Sequence, residues 1–277
     1  MDTTSRNDPG DDPAEEGIVF GRRSSRREVL RKGASIAAAT SAMSLFAGDA
    51  PAEGRDADAA TFYRLVRAIH DPRRRILLRG ATIISIDPAV GDFVRADLLI
   101  EGKRIASIDP NLSAVGRDGD AIVVDCEGTI LIPGMVDCHR HAWEGQLRGL
   151  IPNCATIGDY MGATHRGFAP FYRPEDMYVG NLITALGCID AGITCFIDNS
   201  HNSRSAAHSD AAVQALIDSG VRAVHASGAP TFGEWDRQWP QDVGRLQRQF
   251  FASDDQLVTL RLFSAVLLRR IGRPRAS

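Results

Sequence analysis

Two histidines separated by one residue, His139 and His141, carry the clearest chemical signal in the sequence. They lie in PGMVDCHRHAWEGQLRG, residues 133–149, after an apolar run that a Pro-Gly pair interrupts. On a β-strand, residues i and i+2 point to the same face, so the two imidazoles would lie side by side. Two neutral imidazoles on one face form half of a site for Zn²⁺ or Fe²⁺. The spacing alone also fits surface or packing histidines, and that alternative stays open.

Other polar and aromatic residues carry weaker signals. His201 follows FIDNS at the expected end of a strand. At this position His201 is predicted to contact a substrate or, as the alternative, to have a structural role. His225 alternates within an apolar strand and is expected to be buried, whereas His165 and His208 are expected to be exposed. No partner is evident for two glutamates, and aromatic packing is favoured over a ring-binding pocket for three tryptophans. These residues are Glu144, Glu234, Trp143, Trp235 and Trp239.

Length and composition indicate a soluble globular protein with a sizeable core. The chain has 277 residues, of which 44% are hydrophobic and 24% charged, and its formal net charge is -3. A balance this close to neutrality gives no reason to predict a nucleic-acid partner. Five cysteines without regular spacing do not predict a disulfide framework, and Cys138 is expected to be a packing residue.

The first 52 residues have the pattern of an export signal. A basic stretch with paired arginines precedes an apolar run, 34–47, that is rich in Ala and Ser, and Ala50-Pro51-Ala52 resembles a cleavage site. The run is too short to span a bilayer. The pattern predicts twin-arginine export to the periplasm or the medium, with no membrane association after the signal is removed. A surface helix or a basic tail is the alternative.

In the rest of the chain, the pattern of residue types changes at two points. Residues 53–74 are expected to form a linker or helical segment, and residues 75–132 contain short Ile/Val/Leu-rich strands between turn residues, which predicts a small β-module. From residue 133 to residue 277, strands alternate with helix-like segments after a loop-rich insertion. Such alternation is typical of βα units on a parallel sheet, so the fold class is α/β.

The segment GTILIPGMVDCHRHAWEGQLRG resembles the first metal-binding strand of the amidohydrolase superfamily, in its cytosine deaminase and chlorohydrolase-like branch. The segments RPEDMYVGNLITALGCIDAGITCFIDNSHN and SGVRAVHASG resemble its next helix and strands, so the resemblance covers about residues 75–260. It implies a (β/α)8 barrel of the TIM type with a small β-sandwich. It also implies one divalent metal ion, Zn or Fe, with His139 and His141 as ligands.

The same resemblance assigns expected roles to three residues near the histidine pair. Asp137 matches a neighbouring aspartate that orients the site or supports it structurally. Gln146 and Arg148 match loop positions for which substrate contact and a structural role are both open. The implied activity is metal-dependent hydrolysis of carbon-nitrogen bonds in a small cyclic amine, cyclic amide or aminoheterocycle.

The chain ends after about the fourth expected barrel strand. The later ligand histidines, the late aspartate and half of the barrel would then be missing, which predicts a truncated and catalytically incomplete hydrolase. The alternative is a non-catalytic exported fragment or a metal- or ligand-binding half-barrel. A half-barrel would also leave an open sheet edge, which favours self-association into a homo-oligomer.

Overall fold

The computed structural model describes residues 52–263 except 113–114, 117–118 and 152–153, and only the backbone of residues 52–57. The expected export signal, residues 1–52, lies outside the described residues except for its last residue, Ala52. Within the described part of the chain, no helix is long and apolar enough to cross a membrane. The chain divides into two compact units. The first combines the described residues up to Gly80 with Ala96–Glu127, and the second combines Ala81–Arg95 with the described residues from Gly128.

The described residues between 52 and 131 form one helix and one sheet. Strand order in the sheet is β3-β2-β1-β4, and β5 also pairs with β1. β1 runs parallel to β4 and β5, whereas β2 and β3 are antiparallel. These strands form a single sheet, so a sandwich with a second facing sheet is not confirmed. The elements are α1 (Ala52–Ala68), β1 (Arg75–Ile83), β2 (Phe93–Glu101), β3 (Arg104–Asp109), β4 (Ile122–Asp125) and β5 (Ile130–Leu131).

The α/β fold class is confirmed from residue 133 onward. Four parallel strands pair in chain order, β6-β7-β8-β9, with a helix in each connection. This is the arrangement of successive βα units. The strands are β6 (Met135–Arg140), β7 (Ile193–Ser200), β8 (Arg222–Ser227) and β9 (Val258–Leu262), and the helices are α2 (Ile157–Tyr160), α3 (Pro174–Asp190), α4 (Ala206–Ser219) and α5 (Asp242–Phe250).

The helices begin and end where the sequence provides capping residues. Pro174 opens α3, where its missing N–H costs nothing, and the carboxylate of Asp176 accepts from the backbone N–H of Arg173 at 2.9 Å. Gly220 ends α4 with φ +74°, a left-handed conformation that glycine adopts without strain. These residues therefore set the points at which α3 begins and α4 ends.

The core of the second unit lies between the sheet and its helices. Phe196 of β7 packs there with residues of α3 and α4 such as Cys188 and Val213, and these side chains are almost completely buried. Burial of a large apolar side chain contributes about 1.5 to 3 kcal/mol. A second cluster surrounds Trp143 and includes Met177 and Tyr172. This cluster anchors the segment that follows the histidine pair.

The insertion between β6 and α3 is more helical than the sequence indicates. It contains a 3₁₀-helix over Ala142–Leu147, then α2, then a π-helix over Met161–Phe168 and a short 3₁₀-helix over Ala169–Phe171. The expectation of a loop-rich segment was therefore wrong. Short, irregular helices have no sustained period of 3.6 residues, so apolar periodicity did not reveal them.

Candidate metal centre

The imidazoles of His139 and His141 meet at the carboxyl end of β6. Their Nε2 atoms lie 3.2 Å apart and the ring planes are nearly perpendicular. His139 is exposed and His141 is half-buried. Two nitrogens bound to one tetrahedral Zn²⁺ at about 2.0 to 2.1 Å would be about 3.4 Å apart. The pair therefore has the spacing and the donor type that one divalent cation requires.

The end of β7 fixes the ring of His141 and the backbone of the next residue, Ala142. Its Nδ1 lies 3.0 Å from the carbonyl oxygen of Asn199. A carbonyl oxygen only accepts, so Nδ1 carries the proton and Nε2 keeps its lone pair for a metal. The carboxylate of Asp198 accepts from the backbone N–H of Ala142 at 3.0 Å. Burial is the main cause that lowers the pKa of His141, which keeps the imidazole neutral.

Asp137 supports the turn that brings the two histidines together. Its carboxylate accepts from the backbone N–H of His139 at 3.0 Å and from Nε of Arg140 at 2.8 Å. Partial burial acts to raise the pKa of Asp137, but these hydrogen bonds and the charge of Arg140 lower it overall. Both oxygens are engaged by the chain itself, in keeping with an orienting role.

A second group of polar side chains lies behind the histidine pair. Tyr160 donates its hydroxyl to Glu144 at 2.6 Å, and that hydroxyl is 3.3 Å from Nε2 of His165. Nε2 of His201 lies 2.8 Å from Nδ1 of His141. Suitable ligand atoms of Glu144, His165 and His201 all lie within 4.8 Å of one another. We call Glu144, His165 and His201 the inner cluster.

The structure corrects three expectations about single residues. His165 is 5% exposed rather than solvent-exposed, because the π-helix turns its ring against Trp143 and Tyr160. Glu144 does have partners, the Tyr160 hydroxyl and His165, although no sequence spacing indicated them. His208 is half-buried, since its ring nitrogens contact the hydroxyl of Ser205 and the carbonyl of Tyr172.

Burial dominates the protonation of the inner cluster. It raises the pKa of Glu144 to about 7, although the Tyr160 hydrogen bond acts in the opposite direction. Burial, with a smaller contribution from the nearby His141, lowers the pKa of His165 to about 4 and that of His201 to about 3. At neutral pH the two imidazoles are therefore neutral, the form in which histidine binds metals.

The residues for which substrate contact was predicted lie in different surroundings. His139, His141, Glu144 and Arg148 line one open depression of about 610 Å³ against α3. Gln146 is half-buried in the 3₁₀-helix and is not part of this lining. His201 is 6% exposed and contacts His141 from the side away from His139. Contact of Gln146, Arg148 or His201 with a substrate stays a prediction.

Trp143, Trp239 and His225 have structural surroundings. Trp143 is completely buried and meets the rings of His165, Tyr172 and His201 edge-on. Trp239 donates its indole N–H to the carbonyl of Ser227 at 3.1 Å. His225 is completely buried, as its place in an apolar strand indicated.

Within the part of the chain that the structure describes, His139 and His141 have no third protein ligand. The inner cluster is the one group of three His, Cys, Asp or Glu residues there whose ligand atoms lie close enough for a metal ion. The sequence did not indicate that Glu144 and His165 lie together, because they come from different helical segments of the insertion. Only the placement of His201 after the FIDNS strand gave a signal.

Comparison with known proteins gives relatives of two kinds. The 5-methylthioadenosine/S-adenosylhomocysteine deaminase of Thermococcus kodakarensis is 31% identical over 149 residues, which are 53% of this chain and 32% of the relative. The 5'-deoxyadenosine deaminase of Methanosarcina acetivorans is 26% identical over 123 residues, 44% of this chain and 27% of the relative. The chain thus spans about a third or less of the length of these curated relatives. No family model matches the sequence.

A solved structure supports the fold. A mutant of the atrazine chlorohydrolase from Arthrobacter aurescens TC1, complexed with zinc and atraton, matches with a TM-score of 0.53 and 24% identity, over 68% of this chain and 46% of that chain. The arrangement of parallel strands and helices therefore matches part of the fold of that protein. In sequence and in fold, the chain resembles the deaminases and hydrolases of the amidohydrolase superfamily, as the segment around His139 and His141 indicated.

Proposed function

We propose that this chain carries part of the metal centre of a hydrolase that acts on carbon-nitrogen bonds of small molecules, as deaminases do. The observation that carries the proposal is the 3.2 Å separation of the Nε2 atoms of His139 and His141 at the end of β6. Active sites of barrel enzymes lie at this end of the strands. The relatives named above are deaminases, which supports the reaction class.

His139 and His141 would hold one divalent cation, Zn²⁺ or Fe²⁺, through their Nε2 atoms. When bound, the cation supplies Lewis acidity that activates water for attack on a carbon atom bearing an amino group. The carbonyl of Asn199 keeps the Nδ1 proton of His141 in place, so that Nε2 stays available. Asp137 orients the backbone of His139. Imidazole ligands suit both metals, and the similar solved structure contains zinc.

The substrate class proposed is an aminoheterocycle or another cyclic amine or amide. The depression beside His139 and His141 has a volume within the range of small-molecule sites, about 300 to 1,000 Å³. Arg148 lies at its edge with an exposed side chain, where five N–H groups can donate to ring nitrogens or oxygens. Gln146 and His201 are the other two residues for which we propose substrate contact.

A second candidate function is a non-catalytic metal- or ligand-binding half-barrel. It is favoured by the ligand count, since His139 and His141 have no third ligand among the described residues. Catalytic zinc sites hold the metal with three protein ligands and leave one position for water. A cation held by two imidazoles alone would bind weakly and would not be positioned for catalysis.

Ammonia release separates the two functions. The full chain, supplied with Zn²⁺ or Fe²⁺, would be incubated with 5'-methylthioadenosine, guanine, an aminopyrimidine and an aminotriazine. The hydrolase proposal expects ammonia above a metal-free control, lost in His139→Ala and retained in His70→Ala, which removes an exposed histidine from another part of the chain. Metal binding without ammonia from any substrate would favour the half-barrel. A rate of ammonia release that is unchanged in His139→Ala would contradict both the catalytic role and the metal-binding role of His139 and His141.

Two further proposals concern the chain in the cell. The basic and apolar pattern of the first 52 residues supports twin-arginine export to the periplasm or the medium, which fractionation of an expressing bacterium would test. Self-association is supported by the apolar side chains of Met135 and Val136, which are exposed on β6 at an edge of the parallel sheet. Sedimentation equilibrium would measure it.

A further inference from the structure

We propose that the inner cluster of Glu144, His165 and His201 is a second cation site, of the Zn²⁺ class, and that it competes with the His139–His141 site. The three residues come from the 3₁₀-helix, the π-helix and the loop after β7, and their ligand atoms lie within 4.8 Å of one another. The competition with the first site rests on the function proposed above. The existence of the second site does not.

The donor set is chemically suited to such a cation. Two imidazoles and one carboxylate bind Zn²⁺ in catalytic sites and Fe²⁺ in oxygenases, with further positions left open. Oε1 of Glu144 and Nε2 of His165 are 3.8 Å apart. Two ligands of a tetrahedral zinc ion are about 3.4 Å apart, so a movement of a few tenths of an ångström brings these two atoms to ligand spacing.

Burial gives the second, independent observation. The ring of His201 is 6% exposed and its Nδ1 atom has no hydrogen-bond partner in the described structure. A buried nitrogen without a partner costs free energy that a ligand would recover. His201 and His165 are stacked with their ring centroids 4.8 Å apart, and both rings pack against Trp143. The packing against Trp143 therefore holds both rings in place beside Glu144.

The two sites are in direct contact. Nε2 of His201 and Nδ1 of His141 are 2.8 Å apart. Two divalent cations held by these neighbouring imidazoles would repel each other strongly in surroundings largely shielded from water. Occupation of one site therefore disfavours occupation of the other.

The second site offers three protein ligands, whereas the first offers two. The wild-type chain should consequently bind one cation and not two.

Zinc stoichiometry and affinity, measured on the full chain by competition with a chromophoric chelator, test this inference. His139→Ala removes the first site without disturbing the core, and Glu144→Gln removes the carboxylate of the second while keeping its shape. We expect one Zn²⁺ per chain in the wild type and in His139→Ala. In His139→Ala/Glu144→Gln we expect affinity lower by on the order of 100-fold, since even groups that merely orient ligands are worth 10- to 100-fold. His70→Ala serves as the control.

Each result decides something. If His139→Ala, with an unchanged circular dichroism spectrum, binds no zinc, the second site does not exist, while the first site and the proposed function survive. Two zinc ions per wild-type chain would overturn the competition. If His139→Ala binds zinc as the wild type does and Glu144→Gln alone binds none, the second site stands and the first fails. His165→Gln provides a second variant that must reproduce the effect of Glu144→Gln in the His139→Ala background.

Discussion

Nδ1 of His225 lies 3.2 Å from Oδ2 of Asp198, and both side chains are completely buried. The other carboxylate oxygen of Asp198 accepts from the backbone N–H of Ala142 at 3.0 Å. One carboxylate thus connects β8, β7 and the segment that follows the histidine pair. Because Asn199, the next residue, holds the ring of His141, the end of β7 fixes both the backbone and the imidazole at the proposed metal centre.

Loss of the Asp198 carboxylate should destabilise the second unit. Asp198→Ala leaves the N–H of Ala142 and Nδ1 of His225 without their partner, and each buried polar group left unsatisfied costs about 1 to 3 kcal/mol. Asp198→Asn keeps one acceptor and should cost less, about 1 to 3 kcal/mol. Urea unfolding would measure both, with Asp190→Asn, at an exposed carboxylate on α3, as the control. Equal stability of the Asp198 and Asp190 variants would show that the buried carboxylate does not stabilise the fold.

The close approach of α3 to the 3₁₀-helix gives a second prediction. A Cβ atom on Gly180 would overlap the carbonyl of Trp143, whereas one on Gly187 of the same helix meets nothing within 4 Å. Gly180→Ala should therefore lower the free energy of unfolding by about 1 to 3 kcal/mol. Gly187→Ala should raise it by about 0.5 to 1 kcal/mol, since alanine favours the helix. Chemical unfolding of the two variants side by side tests the contact, and a gain of stability in both would contradict it.

The order of the strands and the histidine pair could be predicted from the sequence because both depend on local periodicity. Segments such as ITCFID and VRAVHAS carry enough β-branched residues to identify β7 and β8. Pro174 and Gly192 likewise bracket α3. The i, i+2 spacing of His139 and His141 survives even though β6 has an irregular register near its end.

The inner cluster could not be predicted, because its members are brought together by packing rather than by spacing. Glu144, His165 and His201 are separated by more than twenty residues each, and the π-helix that turns His165 inward has no periodic signature. Burial then shifts their protonation, which no local sequence pattern reports. The same limit applies to Tyr160, whose hydroxyl connects Glu144 with His165.

The raised pKa of Glu144 predicts a pH dependence of stability. The folded carboxyl group titrates at about 7 and the unfolded one near 4.5, so between these values the folded state holds a proton that the unfolded state has lost. This contribution to stability is present below pH 4.5 and is lost as the pH rises through 7. Glu144→Gln removes the dependence, so its stability relative to wild type should rise across that window, by on the order of 1 to 3 kcal/mol.

Urea unfolding at several pH values, with a chelator present to remove metal ions, would measure this difference. Glu175→Gln, at an exposed glutamate of α3, is the control and should show no such trend. A difference between Glu144→Gln and wild type that stays constant from pH 4.5 to pH 7.5 would show that the Glu144 carboxyl group is not desolvated as the structure indicates.

Arg204 gives the last prediction, because one buried guanidinium holds three backbone carbonyls. It donates from Nε to Ala169 at 2.8 Å and from its two terminal nitrogens to Glu234 at 2.9 Å and Phe232 at 3.0 Å. Burial lowers its pKa, yet it stays charged at neutral pH. Lysine offers one compact ammonium group and cannot reproduce this fork, so Arg204→Lys should lose about 1 to 3 kcal/mol of stability.

The loss of stability in Arg204→Lys should affect one segment locally as well as the whole fold. Ala169 directly follows the π-helix that carries His165, and Phe232 and Glu234 belong to the segment between β8 and α5. Limited proteolysis of Arg204→Lys should therefore cleave this segment faster than in wild type, since its backbone carbonyls lose the partner that orders them. Arg222→Lys, at an exposed arginine of β8, should behave as wild type. Unchanged cleavage together with unchanged stability in Arg204→Lys would show that a single ammonium group suffices to hold the segment.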